Sequence, residues 1–331
     1  MSELLEHGGR LRAAAHDFHI PLHHWLDLST GINPQGWPVT ELPATVWQRL
    51  PEENDGLYMA TVAYFGSTAV LPVAGSQAAL QALPRLRGQS RVGIVSPCYA
   101  EHARAWASAG HTVLPLAASD VAEQIDRLDV LLVVNPNNPT GACIEPQVLL
   151  AWHARLQARG GWLLVDEAFV ELQPALSVVA AAGDGAHPGL IVLRSLGKFW
   201  GLAGLRAGFV IAEADLLGEL RSLLGPWALS HPARWVAQRA IMDKPWCEAT
   251  RARLHADSER LRALLAAHGL DAEQGCGLFR WVPSARAADL FTALAQRAVL
   301  VRPFSDGLRF GLPGSEAGWQ QLDRVLGEVM A

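Results

Sequence analysis

A buried strand that runs into a lysine-bearing, glycine-rich turn constrains this chain more than any other stretch. Leu190 to Leu193 is an unbroken apolar run, as expected of a strand covered on both faces of a parallel sheet. It leads directly into Ser195–Gly208, S-L-G-K-F-W-G-L-A-G-L-R-A-G. Ser195 stands three residues before Lys198 and Arg206 eight after it, among four glycines. An ammonium emerging there is partly desolvated and close to an arginine, so its pKa is expected to fall. Such a lysine suits imine formation with an aldehyde cofactor. Ser195 and Arg206 are then placed to hold an anion, most simply a phosphate. A surface turn with an incidental lysine is the alternative.

The 331 residues are enough for two packed domains with a large core. Half of them are hydrophobic and 18% charged, a composition that excludes disorder and suits a compact soluble enzyme. A formal charge of −5 argues against a nucleic-acid or acidic-membrane partner, so an anionic substrate needs a local positive pocket. Cys98, Cys143, Cys247 and Cys276 show neither metal spacing nor a disulfide framework, and a cytoplasmic location fits. The N-terminus has no apolar secretory core, and no apolar run is long enough to span a bilayer.

Residues 1–38 are rich in Gly, His and Pro and weakly periodic, which predicts an arm. His7-Gly8-Gly9-Arg10 puts backbone N–H groups beside an imidazole and could grip an anion, although an N-terminal turn satisfies the same residues. Residues 41–66 are helical in part. Val70–Val73 is a strand candidate running into Ala74-Gly75-Ser76-Gln77 and then a helical pattern to Leu86. Strand, glycine, serine, helix is a phosphate-binding order, and also an ordinary helix cap. No nucleotide P-loop or dinucleotide fingerprint is present. Strand Arg91–Ser96 leads to Tyr99, placed where ligands bind at the carboxyl ends of parallel strands; it suits stacking on a flat ring or packing in the core. His111–Leu116 and Asp129–Val134 are the next strands. The latter ends in N-P-N-N-P-T-G, Asn135 to Gly141, a loop fixed by two prolines. After a helix over Pro146–Arg159, strand Trp162–Val165 ends in Asp166-Glu167-Ala168-Phe169. A carboxylate there needs a partner, such as a protonated pyridine nitrogen, or it caps the next helix.

Beyond Ala212 the alternation gives way to helices near Leu216–Leu224, Pro232–Met242 and Cys247–His268. A small α+β unit follows, with strands Leu278–Val282, Val299–Val301 and Leu308–Phe310 around a helix over Ala285–Gln296, and a closing helix from Ser315. This places a large domain at 39–212 and a small C-terminal domain at 213–331. Arg302 and Arg309 each end an apolar strand, where a guanidinium forks naturally onto a carboxylate or phosphate, or pairs with an ordinary acid.

Together, N-P-N-N-P-T-G, D-E-A-F, S-L-G-K…G-L-R-A-G and V-R…L-R-F, in this order, resemble the pyridoxal-phosphate-dependent aminotransferase superfamily, fold type I, class I/II. Within it the chain looks like the histidinol-phosphate aminotransferase branch, and most like the L-threonine-O-3-phosphate decarboxylases of cobalamin biosynthesis. The features that separate it are His7-Gly8-Gly9, Ser29 to Pro34, Asp166 to Phe169 and Pro226-Trp227. The resemblance implies an α/β fold with a mostly parallel sheet between helices plus a small α+β domain to which the arm contributes. It implies pyridoxal 5'-phosphate as cofactor, held as an imine by Lys198. Asp166 would pair with the pyridine nitrogen, Asn138 with the ring hydroxyl, and Tyr99 would stack on the ring. Gly75, Ser76, Gln77, Ser195 and Arg206 would surround the cofactor phosphate. Arg309 would take the substrate carboxylate, while His7, Gly8, Gly31, Asn138 and Arg302 would face the substrate and its phosphate. A homodimer with a small phosphorylated amino-acid substrate is implied, and a product (R)-1-amino-2-propanol O-2-phosphate. Histidinol-phosphate or a related aromatic aminotransferase is the alternative, and a non-catalytic pyridoxal-phosphate sensor a third. Three positions depart from the pattern: Phe169 stands for the usual Tyr, Leu50 for the Tyr of Arg-Tyr-Pro, and Gly31 where relatives often carry Asn.

Overall fold

The structure, a computed structural model, describes residues 7–331. The first six residues of the expected arm lie outside the described residues. The chain divides into two compact units. The larger holds Trp37–Asn138 and Cys143–Glu248; the other holds residues up to Gly36, Pro139–Ala142 and Ala249–Ala331.

The larger unit is built on a seven-stranded sheet: β1 (Val70–Val73), β2 (Arg91–Val95), β3 (Thr112–Leu116), β4 (Val130–Val134), β5 (Trp162–Asp166), β6 (Leu190–Ser195) and β7 (Gly208–Ile211). Its order is β1-β7-β6-β5-β4-β2-β3. The central strands read V-L-L-V-V, W-L-L-V-D and L-I-V-L-R-S and are buried almost throughout. Continuous β-branched and leucine runs of this kind are stable only with both faces covered. Pro72 and Pro115 lie in β1 and β3, the two edge strands, where a missing N–H costs no ladder bond.

Strands β2 to β6 are mutually parallel, and β7 is antiparallel to both β6 and β1. The carboxyl ends of β1, β2, β4, β5 and β6 therefore lie on one edge of the sheet, together with the amino end of β7. Strand β2 is followed by β3 on one side and β4 on the other, so the order reverses there. In open α/β sheets that reversal opens a crevice outside the carboxyl ends.

Helix α1 (Ser76–Ala82) and helix α2 (Glu101–Ser108) cover one face, burying Ala79, Leu80 and Trp106 with Val73, Ile94, Leu132 and Leu193. Full burial of a leucine or isoleucine contributes about 1.5–3 kcal/mol, so these contacts dominate the sheet's cohesion.

The sequence sets a domain boundary near Ala212, where strand-helix alternation stops; the larger compact unit runs on to Glu248. Helix Ala214–Leu224 puts Leu216, Leu217 and Leu220 into the larger unit's core. Helix His231–Met242 is tied to that unit by a two-pronged ion pair from Arg234 to Asp55, at 2.6 and 2.8 Å, and by Trp200 Nε1 donating to the Ala240 carbonyl at 3.0 Å. Change of periodicity marked a change of architecture here without ending the core.

The other unit carries an antiparallel sheet in the order Arg302–Phe304, Gly307–Gly311, Phe279–Pro283, Gly275–Cys276. Helices Ala287–Ala295 and Glu316–Met330 accompany it, the second capped by Ser315 Oγ accepting from Gly318 N. The expected arm is more ordered than its composition suggests. Helix Leu11–Asp17 buries Ala14 against Trp25, Ala295 and Leu300. Leu26–Asp27 then forms a parallel strand pair with Val299–Leu300. The spacing of Leu11, Ala14, Ala15 and Phe18 carries the helical signal, diluted by histidine and glycine on either side.

Candidate active site

Four strand ends on one edge of the seven-stranded sheet deliver the residues singled out in the larger unit. Tyr99 follows β2, Asn138 follows β4, Asp166 ends β5 and Lys198 follows β6. The loop that carries Lys198 is closed at its base by Leu196 N donating to the Ala207 carbonyl at 3.1 Å. Ser195 Oγ accepts from Gly197 N at 3.1 Å, a serine turn that fixes the first bend. Lys198 is half-buried, with Nζ 5.5 Å above the centre of the Phe169 ring.

Asp166 is buried, and its carboxylate is partnered on both oxygens. Oδ2 lies 2.9 Å from His102 Nε2, and Oδ1 accepts from Ala168 N at 3.0 Å. His102 is fully buried beneath the Tyr99 ring, edge to face at 5.9 Å. The Tyr99 hydroxyl donates to Gln77 Oε1 at 3.2 Å, and Gln77 Nε2 donates to Glu101 Oε2 at 3.3 Å. Burial, then the negative charges of Glu101 and Asp166, push the Tyr99 phenol up to about 12, against the pull of Arg206. The same burial beside Asp166 pushes the Cys98 thiol up to about 12, so it stays protonated and unreactive.

Gly75, Ser76, Gln77 and Arg206 form a cradle suited to an anion. The chain turns at Gly75 with φ 73° and enters α1, whose first N–H groups have no acceptor within the helix. A Cβ on Gly75 would lie 2.8 Å from Arg206 Nη2, so only glycine lets the guanidinium approach. Gly208 stands in register with both Val73 and Ser195; a Cβ there would lie 2.5 Å from Ser76 N. This pairing is what brings Ser195 and the Gly75 turn together. Arg206 itself has φ 54° and donates to the Ala203 carbonyl at 3.3 Å.

The neighbouring polar residues of the two loops serve the scaffold. Asn135 clamps Ile144 with both side-chain atoms at 2.9 Å, and Asn137 donates to the Pro97 carbonyl at 3.0 Å. Glu167 and Glu171 both grip buried Arg194, the former at 3.0 Å. Burial alone would lower the Arg194 pKa; Glu171 and Glu167 overcome it and raise it. Of the positions that depart from the expected pattern, Leu50 is 61% exposed, and the Tyr58 hydroxyl donates to the Thr68 carbonyl of its own chain at 2.9 Å.

In the other unit, Arg302 and Arg309 are register partners on adjacent strands. Arg309 is buried, stacks 5.1 Å from the Phe279 ring centre and donates from Nη2 to the Ser29 carbonyl at 2.8 Å. Burial, reinforced by the charge of Arg302, lowers its pKa to about 10. A cleft of about 230 Å³ is lined by His7, Gly8, Ser29 and Arg302 among others. Gly31 is buried and is not part of that lining. Arg253 reaches Asn33 Oδ1 at 3.0 Å, holding the Ser29–Pro34 segment.

The sequence singled out the residues at the strand ends but gave no role to His102, Ser29 or Asp27. His102 stood in the quoted P-C-Y-A-E-H; its spacing of three from Tyr99, one helical turn, was the available signal.

The family model for aminotransferase class I and II matches residues 53–319. The threonine-phosphate decarboxylase of Pseudomonas aeruginosa is 54% identical over 325 residues, covering 98% of this chain and 97% of that protein. One from a Sinorhizobium species is 42% identical, covering 100% and 99%. Among solved structures, the histidinol-phosphate aminotransferase of Sinorhizobium meliloti in complex with pyridoxal-5'-phosphate superposes with a TM-score of 0.84 at 18% identity, covering 99% of this chain and 95% of that one.

Proposed function

The chain belongs to the class I and II aminotransferase family, with the threonine-phosphate decarboxylases, and from that premise we propose that it decarboxylates L-threonine O-3-phosphate to (R)-1-amino-2-propanol O-2-phosphate, a step of cobalamin biosynthesis. Its cofactor is pyridoxal 5'-phosphate. The residues at the sheet edge fit that group: Gly75, lacking a Cβ, lets the Arg206 guanidinium come up against the turn that opens α1, where a phosphate would meet both, and the buried Asp166 has acceptor capacity beyond its two contacts. The observation that carries the proposal is the end-to-end match at 54% identity, taken with Lys198 and the His102–Asp166 pair on one sheet edge.

When bound, the cofactor supplies an electron sink for the pair released as the bond from Cα to the carboxylate breaks. Lys198 Nζ would hold the cofactor at rest and return a proton to Cα once CO2 has left. Asp166, held by His102, would keep a positive charge on the pyridine nitrogen. Asn138 would bind the ring hydroxyl and Tyr99 would lie on the ring face. Gly75, Ser76, Gln77, Ser195 and Arg206 would bind the cofactor phosphate. Arg309 would orient the leaving carboxylate. His7, Gly8 and Arg302 would bind the substrate phosphate, a remote contact whose binding energy fixes orientation at Cα, while Gly31, outside that cleft, would face the substrate only through its backbone.

The test is incubation with O-phospho-L-threonine in the absence of any 2-oxo acid, following CO2 release. Turnover that instead requires 2-oxoglutarate and converts it to glutamate would favour the second reading, a histidinol-phosphate-type aminotransferase. Borohydride reduction should fix the cofactor on Lys198; a label on another lysine defeats the assignment.

The protein is further read as a cytoplasmic homodimer. Trp47, Leu50, Met59 and Trp227 of the larger unit are 59–68% exposed, apolar surface of the kind that subunit interfaces cover. No described helix is long and apolar enough to cross a membrane. Full activity in a monomer by light scattering would overturn the dimer.

A further inference from the structure

We propose that Ser29 is a positioning residue that docks the His7–Gly9 turn at the cleft containing Arg302 and so sets the preference for a phosphorylated substrate. The inference rests on reading that cleft as the phosphate end of the substrate site.

Ser29 is 2% exposed and every polar atom it has is engaged. Its N–H and its hydroxyl both donate to Asp27 Oδ1, at 2.9 and 2.6 Å. The hydroxyl oxygen accepts from Gly9 N at 2.8 Å, and the carbonyl accepts from Arg309 Nη2 at 2.8 Å. Asp27 is fixed in turn, because it pairs in register with Leu300, two residues before Arg302. Gly8 sits so close to the Ser29 carbonyl that a Cβ would lie 2.2 Å from its oxygen. One buried serine thus joins the arm to the strand that carries Arg309, beside a cleft lined by His7, Gly8 and Arg302.

The two ends of Ser29 separate the two roles. The backbone carbonyl serves Arg309 and survives any side-chain substitution. The hydroxyl serves the arm: it is oriented by Asp27 and receives Gly9. A hydroxyl that spends its proton on a carboxylate presents a lone pair to the Gly9 N–H, which is why a serine between an acid and a backbone amide makes a directional latch. Loss of that latch frees the His7–Gly9 turn and leaves the carboxylate end of the site as it was.

Ser29→Ala should lower kcat/KM for O-phospho-L-threonine about tenfold relative to kcat/KM for L-threonine, the loss residing in KM, as expected for one directional hydrogen bond. Amide exchange over residues 7–10 should accelerate in the free protein while the far-ultraviolet circular dichroism is unchanged. Asp27→Ala, which removes the acceptor that orients the hydroxyl, must shift the ratio in the same direction; Asp27→Asn, which keeps an acceptor oxygen, must restore it. An unchanged ratio, or an equal loss for both substrates, overturns the inference. If the wild-type protein releases no CO2 from O-phospho-L-threonine, the functional reading fails instead. Exchange at residues 7–10 then still decides whether the latch exists.

Discussion

His102 Nε2 and Asp166 Oδ2 lie 2.9 Å apart with the imidazole wholly buried. A buried helix residue thereby orients the carboxylate proposed to face the cofactor nitrogen. A hydrogen bond to a charged group contributes about 1.5–3 kcal/mol, so His102→Ala should lower kcat roughly ten- to a hundredfold. His102→Gln, which can return a side-chain N–H near the same place, should recover part of it. A loss seen in KM alone, with kcat intact, would remove His102 from the support of Asp166.

The Gly208 backbone is wedged against Ser76 N and the Gly75 turn. Gly208→Ala should therefore cost about 1–3 kcal/mol of stability through overpacking, visible as a lower urea midpoint. Gly75→Ala meets Arg206 and also carries the strain of φ 73°. It should weaken pyridoxal-phosphate binding at least about tenfold, measured by equilibrium dialysis, because the guanidinium is pushed out of the cradle. Unaltered affinity in Gly75→Ala would move the phosphate elsewhere.

Arg234 and Asp55 tie the helix His231–Met242 to the larger unit. Burial opposes ionisation of Asp55, but Arg234 and the Leu57 N–H outweigh it and hold its pKa below the ordinary 3.8. A lowered carboxylate pKa contributes stability above the ordinary value and loses it as pH falls through the folded value. Acid unfolding below about pH 4 should therefore be steeper in the wild type than in Asp55→Asn. Near neutral pH, Arg234→Ala should cost about 3 kcal/mol, since it strands a half-buried carboxylate. Matching acid profiles in wild type and Asp55→Asn would place the acid sensitivity on other groups.

Arg309 and Arg302, register partners, should separate in kinetics. Arg309→Ala should depress turnover as well as binding, because orientation at Cα would be lost with the proposed carboxylate contact. Arg302→Ala should chiefly lower the ratio of kcat/KM for O-phospho-L-threonine over L-threonine, by about ten- to a hundredfold. An unchanged ratio in Arg302→Ala would place the substrate phosphate on the arm alone. The Arg309 cation proposed to bind the carboxylate has its pKa lowered by burial to about 10, so it loses charge as pH rises through that value. Substrate affinity should weaken there.

The sequence by itself determined which residues stand at strand ends. Buried parallel strands are read from unbroken apolar runs, and the residues after them from loops rich in proline and glycine. Both signals are local, so Lys198, Asp166, Asn138 and Tyr99 could be named before any coordinates, as could the α/β class. Tertiary structure decided what those residues touch. His102 meets Asp166 across 64 positions, Ser29 meets Arg309 across 280, and Arg234 meets Asp55 across 179. The last ties the helix His231–Met242 to the larger unit. Hydrogen bonds of this kind depend on strand register and on side chains meeting within about 3 Å. No period or composition encodes such a distance, because each partner is chosen by a fold that the whole chain must first form.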